Sequence, residues 1–397
     1  MLTHTAPLPL VSGERIRNFH LLRELARHGW RVALFSLLHG PAPSPGDEAV
    51  LRELCETVTF EPIAVSRLAR ARRLGWAIMT RRAFHDRYFY SRAAAARLGL
   101  RLERESFDAI TAESLYMYPY VPGRLRSRTV LDTLNAELRR VEGMAAALRR
   151  SARGLVARLQ LGPVRRYEAA AARSVARVVA VSHEEARYFE QLAPGKVDVV
   201  PNGVDSESVP VRTATPPEPR LLFVGSMDYS ANVDAVEYLV DAILPLVRRT
   251  DVTLTIVGSN PRPAVRRAAR RAGRLVEVLG QVPSTASHFE RSRALLVPLR
   301  YGGGTRLKIL EALARGVPVI STAIGCEGLG LVHERDVVIA DEPEAFARWI
   351  DRVLEDDALC ARLGAAGRKT VEASYDWRQL GSAFERVLAR VAEDSTT

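Results

Sequence analysis

The chain has 397 residues, of which 47% are hydrophobic and 26% are charged, and its formal net charge is +11. This composition excludes a disordered or fibrous protein, and the length favours two domains because a single core stops growing at about 250–300 residues. No stretch approaches the roughly 18 apolar residues of a membrane span. Residues 1–11 lack the basic start and apolar segment of a secretion signal, so we expect a cytoplasmic protein.

Short apolar segments rich in β-branched residues alternate with longer amphipathic segments, a pattern typical of parallel α/β sheets. The predicted strands are residues 31–36, 58–60, 108–112, 129–133, 176–182 and 197–201 in the first half, and 220–224, 252–257, 275–278, 294–298, 317–321 and 337–340 in the second. Helices such as 17–28 and 232–248 lie between them. We therefore predict the α/β class, with two doubly wound Rossmann-like domains facing a central cleft.

Proline marks the predicted domain boundary. Residues 206–219 contain four prolines, which cannot occupy the interior of a strand or helix, so they are predicted to form a linker. The predicted domains are residues 1–205 and 220–375, followed by an amphipathic helix at 376–397. Residues 1–4 resemble the end of a strand whose beginning is missing, so we expect a truncated first strand.

The strongest motif spans residues 298–321, which are predicted to form a strand, a glycine-rich loop, a helix from near Thr305, and another strand. Bare backbone amides and a helix N-terminus make such a loop suitable for phosphate. Arg306 and Lys308 would add positive charge, and Glu311 could accept hydrogen bonds from ribose hydroxyls. The alternative is a turn in which both cations are solvated and Glu311 pairs with Arg315. The loop residues are Gly302, Gly303, Gly304 and Thr305.

Weaker signals follow other predicted strands. Gly225 and Ser226 come directly after strand 220–224 and could contact phosphates. The alternative is that this segment only starts a helix, which Asn232 would cap. Asn202 lies in a Pro-Asn-Gly sequence that alone indicates only a turn. Gly13 and Arg15 lie where a turn leads into a helix, and either the wall of the cleft or a simple helix start fits them. His4 and His183 follow strands, although Ser182 could cap a helix beside His183.

Residues 67–104 are rich in arginine and aromatic side chains. This segment could rest on an anionic membrane, or its aromatic residues could pack onto the first sheet, which we favour. The eight histidines show no metal-ligand spacing, and His20 and His28 are predicted to lie on the surface. The three cysteines include no CxxC pair, which argues against a zinc ribbon or a disulfide framework.

These motifs resemble those of GT-B fold glycosyltransferases of family 4, in group 1, particularly the bacterial branch that assembles surface polysaccharides. The resemblance depends on residues 13–17, 132–137, 181–184, 201–205, 223–229 with Asn232, and 302–321. It implies a retaining, metal-independent hexosyltransferase that uses a UDP- or GDP-sugar donor and no other cofactor. It also implies a glycan or lipid-linked acceptor and a C-terminal helix that crosses back onto the first domain.

The resemblance also assigns roles to residues. The predicted catalytic set is Arg306, Lys308 and Glu311. The predicted donor-binding set is Gly225, Ser226, Gly302, Gly303, Gly304, Thr305 and Asn202. The residues predicted to lie on the acceptor side or elsewhere in the cleft are His4, Gly13, Arg15, Asp132, Asn135, Glu137 and His183. No metal ligand is predicted. Gly303 replaces the first of two glutamates that the family usually carries, so a non-catalytic sugar-nucleotide-binding protein or scaffold is the main alternative. A sugar-nucleotide epimerase on the same fold is another, while nucleic-acid binding has only the net charge in its favour.

Overall fold

The computed structural model describes residues 1–39, 42–63, 66–147, 151–302 and 306–394. The chain divides into two compact units. Unit 1 comprises Met1–Asn202 together with Trp377–Thr397, and unit 2 comprises Gly203–Asp376. Unit 1 is therefore discontinuous in sequence, and its second segment follows the whole of unit 2.

Unit 1 contains a parallel sheet. Its strands are β1 (Leu2–Thr3), β2 (Ala33–Leu38), β3 (Thr57–Pro62), β4 (Ile110–Glu113), β5 (Thr129–Asp132), β6 (Arg177–Ala180) and β7 (Val197–Val199). They pair in the order β3-β2-β1-β4-β5-β6-β7. The helices that connect them are α1 (Gly13–Arg27), α2 (Pro45–Leu54), α3 (Arg67–Met79), α4 (Arg92–Arg104), α5 (Glu137–Ala147), α6 (Ala152–Ser174) and α7 (His183–Leu192).

Unit 2 contains a second parallel sheet. Its strands are β8 (Arg220–Val224), β9 (Thr253–Val257), β10 (Val276–Gly280), β11 (Ala294–Val297), β12 (Val319–Ser321) and β13 (Val338–Ile339). They pair in the order β10-β9-β8-β11-β12-β13. The helices are α8 (Ser230–Tyr238), α9 (Pro263–Ala272), α10 (Ala286–Glu290), α11 (Leu307–Ala314), α12 (Pro343–Glu355) and α13 (Asp357–Ser374).

Two parallel-sheet, Rossmann-like units confirm the predicted α/β class. The central strands are buried along their length, as in β11, where all four residues are buried, because helices cover both faces of such a sheet. In each sheet the chain first adds strands on one side of its first strand, β1 or β8, and then continues on the other side, so the strand order reverses there. Loops at the carboxyl ends of strands near such a reversal are the usual ligand sites of this architecture.

The helix predicted at residues 232–248 differs from the observed one. Helix α8 ends at Tyr238, a π-helical turn follows at Leu239–Ile243, and a short 3-10 segment occupies Leu244–Leu246. Pro245 accounts for the ending, because it has no N–H to donate and its ring crowds the preceding turn. The apolar periodicity continues through this segment, which is why the sequence predicted one unbroken helix.

A final helix, α14 (Trp377–Asp394), belongs to unit 1 and packs on α1. The Trp377 ring stacks on the His20 ring with centroids 5.2 Å apart, and both residues are buried. The prediction that His20 lies on the surface was therefore wrong: the helix that covers it comes from a segment more than three hundred residues later in the chain.

The aromatic residues of segment 67–104 mostly pack inward. Phe89 is buried in the core of unit 1, and Tyr88 and Tyr90 pack against that core. Trp76 is half-buried, with the Arg87 guanidinium 4.6 Å from its ring centroid. None of the helices in the described parts of the chain has the length and apolar character needed to cross a membrane.

Candidate functional site

In unit 2, two glycines allow the loops that follow β8 and β9 to approach closely. A Cβ atom on Gly258 would lie 1.8 Å from the Gly225 carbonyl oxygen. A Cβ atom on Gly225 would lie 2.7 Å from Asn232 Nδ2 and 2.8 Å from Lys308 Nζ. Side chains cannot occupy these spaces, so the loop backbone lies directly against an amide and an ammonium group.

Lys308, in the first turn of α11, reaches that loop. Its Nζ donates to Asn232 Oδ1 at 3.0 Å and lies 4.7 Å from the centroid of the Phe223 ring. Burial, together with repulsion from Arg306, lowers the pKa of Lys308 to about 7. No carboxylate pairs with this ammonium among the described residues. An anion bound here would supply the missing counter-charge and raise that pKa.

Asn232 does not cap α8, because Tyr229 occupies the N-cap position and Asn232 lies within the helix. Its Nδ2 donates to the Ser226 carbonyl oxygen at 2.8 Å while its Oδ1 accepts from Lys308. Ser226 is exposed, and its Oγ accepts from Ser259 Oγ at 3.1 Å. The amide of Asn232 thus joins the loop after β8 to the lysine of α11.

Arg306 directly precedes α11 and is buried, which lowers the pKa of its guanidinium. Its Nη2 donates to the Gly302 carbonyl oxygen at 2.9 Å. Gly302 has a φ of +123°, and a Cβ atom there would lie 2.4 Å from the Tyr229 hydroxyl. The helix begins at Leu307 rather than near Thr305. The predicted donor contacts at Gly303, Gly304 and Thr305 lie outside the described residues.

Glu311 makes the ion pair that the alternative interpretation anticipated. Its Oε1 accepts from Arg315 Nη2 at 3.2 Å and from Thr285 Oγ1 at 2.8 Å. The side chain remains partly exposed, so the carboxylate is anchored through one oxygen without being enclosed. Thr285 was missed by the sequence analysis because it belongs to a loop between β10 and β11 that carries no motif.

In unit 1, His4 lies between two carboxylates. Its Nδ1 is 2.6 Å from Glu113 Oε2, and its Nε2 is 3.4 Å from Glu14 Oε2. Burial alone would lower the pKa of His4, but attraction to Glu113 and the hydrogen bonds with both carboxylates raise it to about 10. Neither glutamate was singled out in the sequence. The contact of Glu113 with His4 depends on the pairing of β4 beside β1 in the sheet, which no local sequence pattern shows.

His4, Glu14 and Glu113 also offer ligand atoms that lie within 4.8 Å of one another, close enough for a metal ion. Histidine ligates a metal only when it is neutral, and the raised pKa of His4 keeps its imidazole protonated near neutral pH. A metal ion would therefore have to displace that proton in order to bind.

Two predicted site residues, Asp132 and Asn202, are instead bound to an internal arginine. Arg17 is fully buried, and its Nε and Nη2 donate to the Asp132 carboxylate at 2.9 and 2.6 Å. Its Nη1 donates to Asn202 Oδ1 at 3.1 Å and to the Val200 carbonyl oxygen at 2.9 Å. This network connects α1 to the carboxyl ends of β5 and β7.

Glu137 forms a separate cluster with His85, whose Nε2 is 3.0 Å from Glu137 Oε2. Burial opposes ionisation, but attraction to His85 and Arg140 lowers the pKa of Glu137 to about 2. Among the other predicted acceptor-side residues, Gly13 begins α1, and Arg15 Nη1 donates to the Leu8 carbonyl oxygen at 2.8 Å. Half-buried Asn135 lies just before α5.

His183 is the first residue of α7 and is exposed. Ser182 caps that helix, since its side chain accepts from the Glu185 backbone N–H at 3.2 Å. The helix-capping role weighed for Ser182 is therefore present, and unit 1 does not bring His183 into the cluster around His4.

Two family models match the chain. The model described as Glycosyltransferase Family 4 matches residues 12–208, and the model described as Glycosyl transferases group 1 matches residues 218–356. Together they cover most of the sequence, one over each half.

A curated relative, the GDP-mannose-dependent monoacylated alpha-(1-6)-phosphatidylinositol monomannoside mannosyltransferase of Corynebacterium glutamicum, is 28% identical over 153 residues, covering 36% of this chain and 40% of that protein. The chain matches less than half the length of each curated relative considered.

Two solved structures share the fold over nearly the whole chain. Sucrose-phosphate synthase from Thermosynechococcus elongatus has a TM-score of 0.70 at 20% identity, covering 99% of this chain and 98% of that one. The protein HepE from Anabaena, solved in complex with UDP, has a TM-score of 0.64 at 12% identity, covering 98% and 99%. At these identities the likeness concerns the fold alone.

Proposed function

The chain belongs to glycosyltransferase family 4, of group 1, with the GT-B fold, and on that premise we propose that it transfers a sugar from a nucleoside diphosphate sugar to a hydroxyl acceptor. The donor is a UDP- or GDP-sugar. The acceptor is a glycan or lipid-linked saccharide of the kind used in surface polysaccharide assembly. The reaction retains the anomeric configuration of the transferred sugar.

One observation carries the donor assignment: the ammonium of Lys308 is held against an amide oxygen and an aromatic ring, without a carboxylate among the described residues. Removing such a cation from water has a high free-energy cost unless a ligand supplies a counter-charge. A diphosphate brings the matching negative charge, and Arg306 lies next to Lys308 to share it. A glycine at position 225 lets the Lys308 ammonium lie directly against the backbone of the loop after β8.

The proposed reaction breaks the bond between the anomeric carbon and the diphosphate oxygen, and the electron pair leaves with that oxygen. The acceptor oxygen bonds to the same face of the anomeric carbon, and its proton passes to the departing diphosphate. Lys308 and Arg306 stabilise the charge that develops on the leaving group. We propose that these side chains make a divalent cation dispensable.

The test is release of UDP or GDP from a panel of sugar nucleotides, with and without EDTA. Lys308→Met removes the proposed charge, and Lys369→Met is the matched control because Lys369 is exposed on α13. We expect turnover that survives EDTA and is lost in Lys308→Met only. Equal turnover in both variants would overturn the donor site. Tight binding of a sugar nucleotide without turnover would instead identify the non-catalytic protein considered from the sequence.

We also propose contact with the anionic inner face of the cytoplasmic membrane through α3. Leu68 and Met79 are 71% and 86% exposed, and they lie eleven residues apart, on the same face of the helix. Exposed Arg72 lies on that face between them. A helix with apolar and basic side chains outward suits an acidic lipid surface.

Sedimentation with phosphatidylglycerol vesicles tests this contact. We expect the protein to sediment with these vesicles and not with phosphatidylcholine vesicles, and the Leu68→Ser/Met79→Ser variant to stay in solution. Leu246→Ser, which changes an exposed leucine of unit 2, is the control. Unchanged sedimentation of the double variant would exclude α3 as the contact.

A further inference from the structure

The cluster around His4 brings three elements together at the carboxyl end of the unit 1 sheet. His4 follows β1, Glu113 ends β4, and Glu14 lies in the first turn of α1. The donor assignment made above uses none of these side chains. An imidazolium between two carboxylates leaves one negative charge in excess, so the cluster is unsuited to a phosphate or another anion.

The two carboxylates have different surroundings. Glu113 is 1% exposed, and its Oε2 accepts from both the backbone N–H of His4 at 3.0 Å and the ring Nδ1 at 2.6 Å. These two bonds to one oxygen fix the orientation of the ring and turn Nε2 toward Glu14. Glu113 is therefore a positioning residue for His4.

Glu14 is the exchangeable partner. Its side chain is 34% exposed, and its Oε2 lies 3.4 Å from His4 Nε2, which is longer than the 2.7–3.2 Å or so of an ordinary N–H···O bond. Glu14 is therefore the carboxylate of the pair that solvent can reach, while His4 is 7% exposed. The buried Oε1 of Glu113 accepts no hydrogen bond from the described residues.

A hydroxyl group matches these features because it can accept and donate at once. It would accept from the Nε2–H of His4 and donate to the carboxylate of Glu14, and both bonds would be charge-assisted. An ammonium group could not accept, and a carboxylate could not donate.

Aromatic rings lie beside this pair. The Phe89 and Tyr116 ring centroids lie 5.4 and 5.5 Å from the imidazole of His4, and the half-buried His39 ring lies 6.0 Å away. Phe89 belongs to the core, whereas the half-buried rings of Tyr116 and His39 offer an apolar surface for the C–H face of a sugar ring, next to the polar pair that its hydroxyl needs.

We propose that His4 and Glu14 form a subsite for one hydroxyl of a neutral pyranose acceptor, with Glu113 holding His4 in place. This inference rests on the proposed function for the identity of the reaction. The pyranose is recognised by a hydroxyl hydrogen-bonded to the pair and a carbon face lying against the aromatic rings.

Saturation-transfer NMR with methyl pyranosides of neutral hexoses tests the subsite directly. We expect saturation transfer with the wild-type protein, its loss in Glu14→Ala, and no loss in Glu53→Ala, which changes an exposed glutamate on α2. In steady-state kinetics with the same glycosides, Glu14→Gln should raise the acceptor KM about tenfold or more, because it removes a charged hydrogen-bond acceptor. Glu113→Gln should lower kcat as well, since it releases the ring of His4.

Three results would overturn the proposal: equal saturation transfer in Glu14→Ala and wild type, an acceptor KM unchanged by Glu14→Gln, or stoichiometric Zn²⁺ binding in calorimetry that Glu14→Ala abolishes. The last would make the cluster a metal site. Calorimetric binding of UDP and GDP tests unit 2 separately. Failure of both nucleotides to bind would remove the proposed function while the NMR result still decides the subsite.

Discussion

The cations Arg17 and His4 of unit 1 differ from Lys308 of unit 2 in the charge that surrounds them. In unit 1, Arg17 and His4 each lie against a carboxylate, from Asp132 and Glu113 respectively. In unit 2, Lys308 lies against an amide oxygen and an aromatic ring. The pKa values reflect this difference, because attraction to Glu113 overcomes burial and raises that of His4 to about 10, whereas burial lowers that of Lys308 to about 7. A cation with an internal counter-charge stabilises the fold, and one without it is suited to bind an anion.

Removing a carboxylate from unit 1 should have the largest effect, and that effect is on the free energy of unfolding. Asp132→Ala leaves the buried guanidinium of Arg17 without its counter-charge, so we expect the free energy of unfolding to fall by about 3–5 kcal/mol. Urea denaturation measures it. Arg390→Met, which breaks an exposed pair with Asp198, should cost roughly 0–1 kcal/mol. Similar costs for the two variants would show that the pair of Arg17 and Asp132 is not a structural ion pair.

Removing the cation from unit 2 should affect ligand binding rather than the fold. Lys308→Met keeps the length of the side chain and removes a desolvated charge, so we expect the free energy of unfolding to hold or rise. Affinity for UDP or GDP should fall by about a hundredfold, since a charge-assisted contact is worth roughly 1.5–3 kcal/mol. Calorimetry on the variant measures the affinity. A destabilised protein with unchanged nucleotide affinity would reverse the roles assigned to the two units.

The pH dependence of nucleotide binding sharpens the same comparison. The pKa of Lys308 in the free protein is lowered to about 7, and a bound diphosphate raises it. The complex then holds more protons than the free protein above pH 7, so affinity should fall there by up to about tenfold per pH unit. Isothermal calorimetry between pH 6.5 and about 8.5 checks the slope, and Lys308→Met should flatten it. An equal slope in that variant would assign the titration to another group.

The stability of the free protein also depends on the pKa of Lys308, but it changes with pH in the opposite direction to nucleotide affinity. The pKa of Lys308 is lowered from 10.5 in the unfolded chain to about 7, so the unfolded state binds more protons between these values. This lysine therefore makes the free protein more stable as pH rises through that window. Nucleotide binding weakens over the same range, which distinguishes the ligand effect from a loss of folding.

The smallest effect is expected at Thr285, whose hydroxyl fixes Glu311 in unit 2. Thr285→Val removes one hydrogen bond to Glu311, which the sequence predicts to contact the donor ribose, so nucleotide affinity should fall about threefold to tenfold. Glu311→Ala should cost more, and Thr253→Val, at the start of β9, should cost little. A larger loss in Thr285→Val than in Glu311→Ala would mean that Thr285 itself contacts the ligand.

The fold was largely predictable because its signals are local. Apolar, β-branched segments identified the strands, and the observed strands overlap every predicted one. Pro245 ended a helix that periodicity alone would have continued. His20 was assigned to the surface since nothing near it in sequence reveals that Trp377 stacks on it. Burial by a distant helix depends on tertiary packing, which a local pattern does not contain.

The candidate site residues could be predicted from the sequence only where they lie together in one short segment. Arg306, Lys308 and Glu311 share one stretch of sequence, and in unit 2 the charge of Arg306 helps to lower the pKa of Lys308. The partners that decide their chemistry come from elsewhere: Asn232 contacts Lys308, and Thr285 contacts Glu311. In unit 1, Glu113 and His4 are more than a hundred residues apart. They become neighbours only because β1 and β4 pair in the sheet.

The position of α14 imposes an order on the synthesis of this protein. Leu21 and Leu25 of α1 belong to the same apolar cluster as Leu380 and Phe384 of α14, yet all of unit 2 separates them in the sequence. A growing chain on the ribosome therefore completes its second sheet before α14 can cover the first. Until then the apolar face of α1 stays exposed and is accessible to chaperones. Premature termination before Trp377 would leave the earlier-made half, rather than the later one, open to proteolysis.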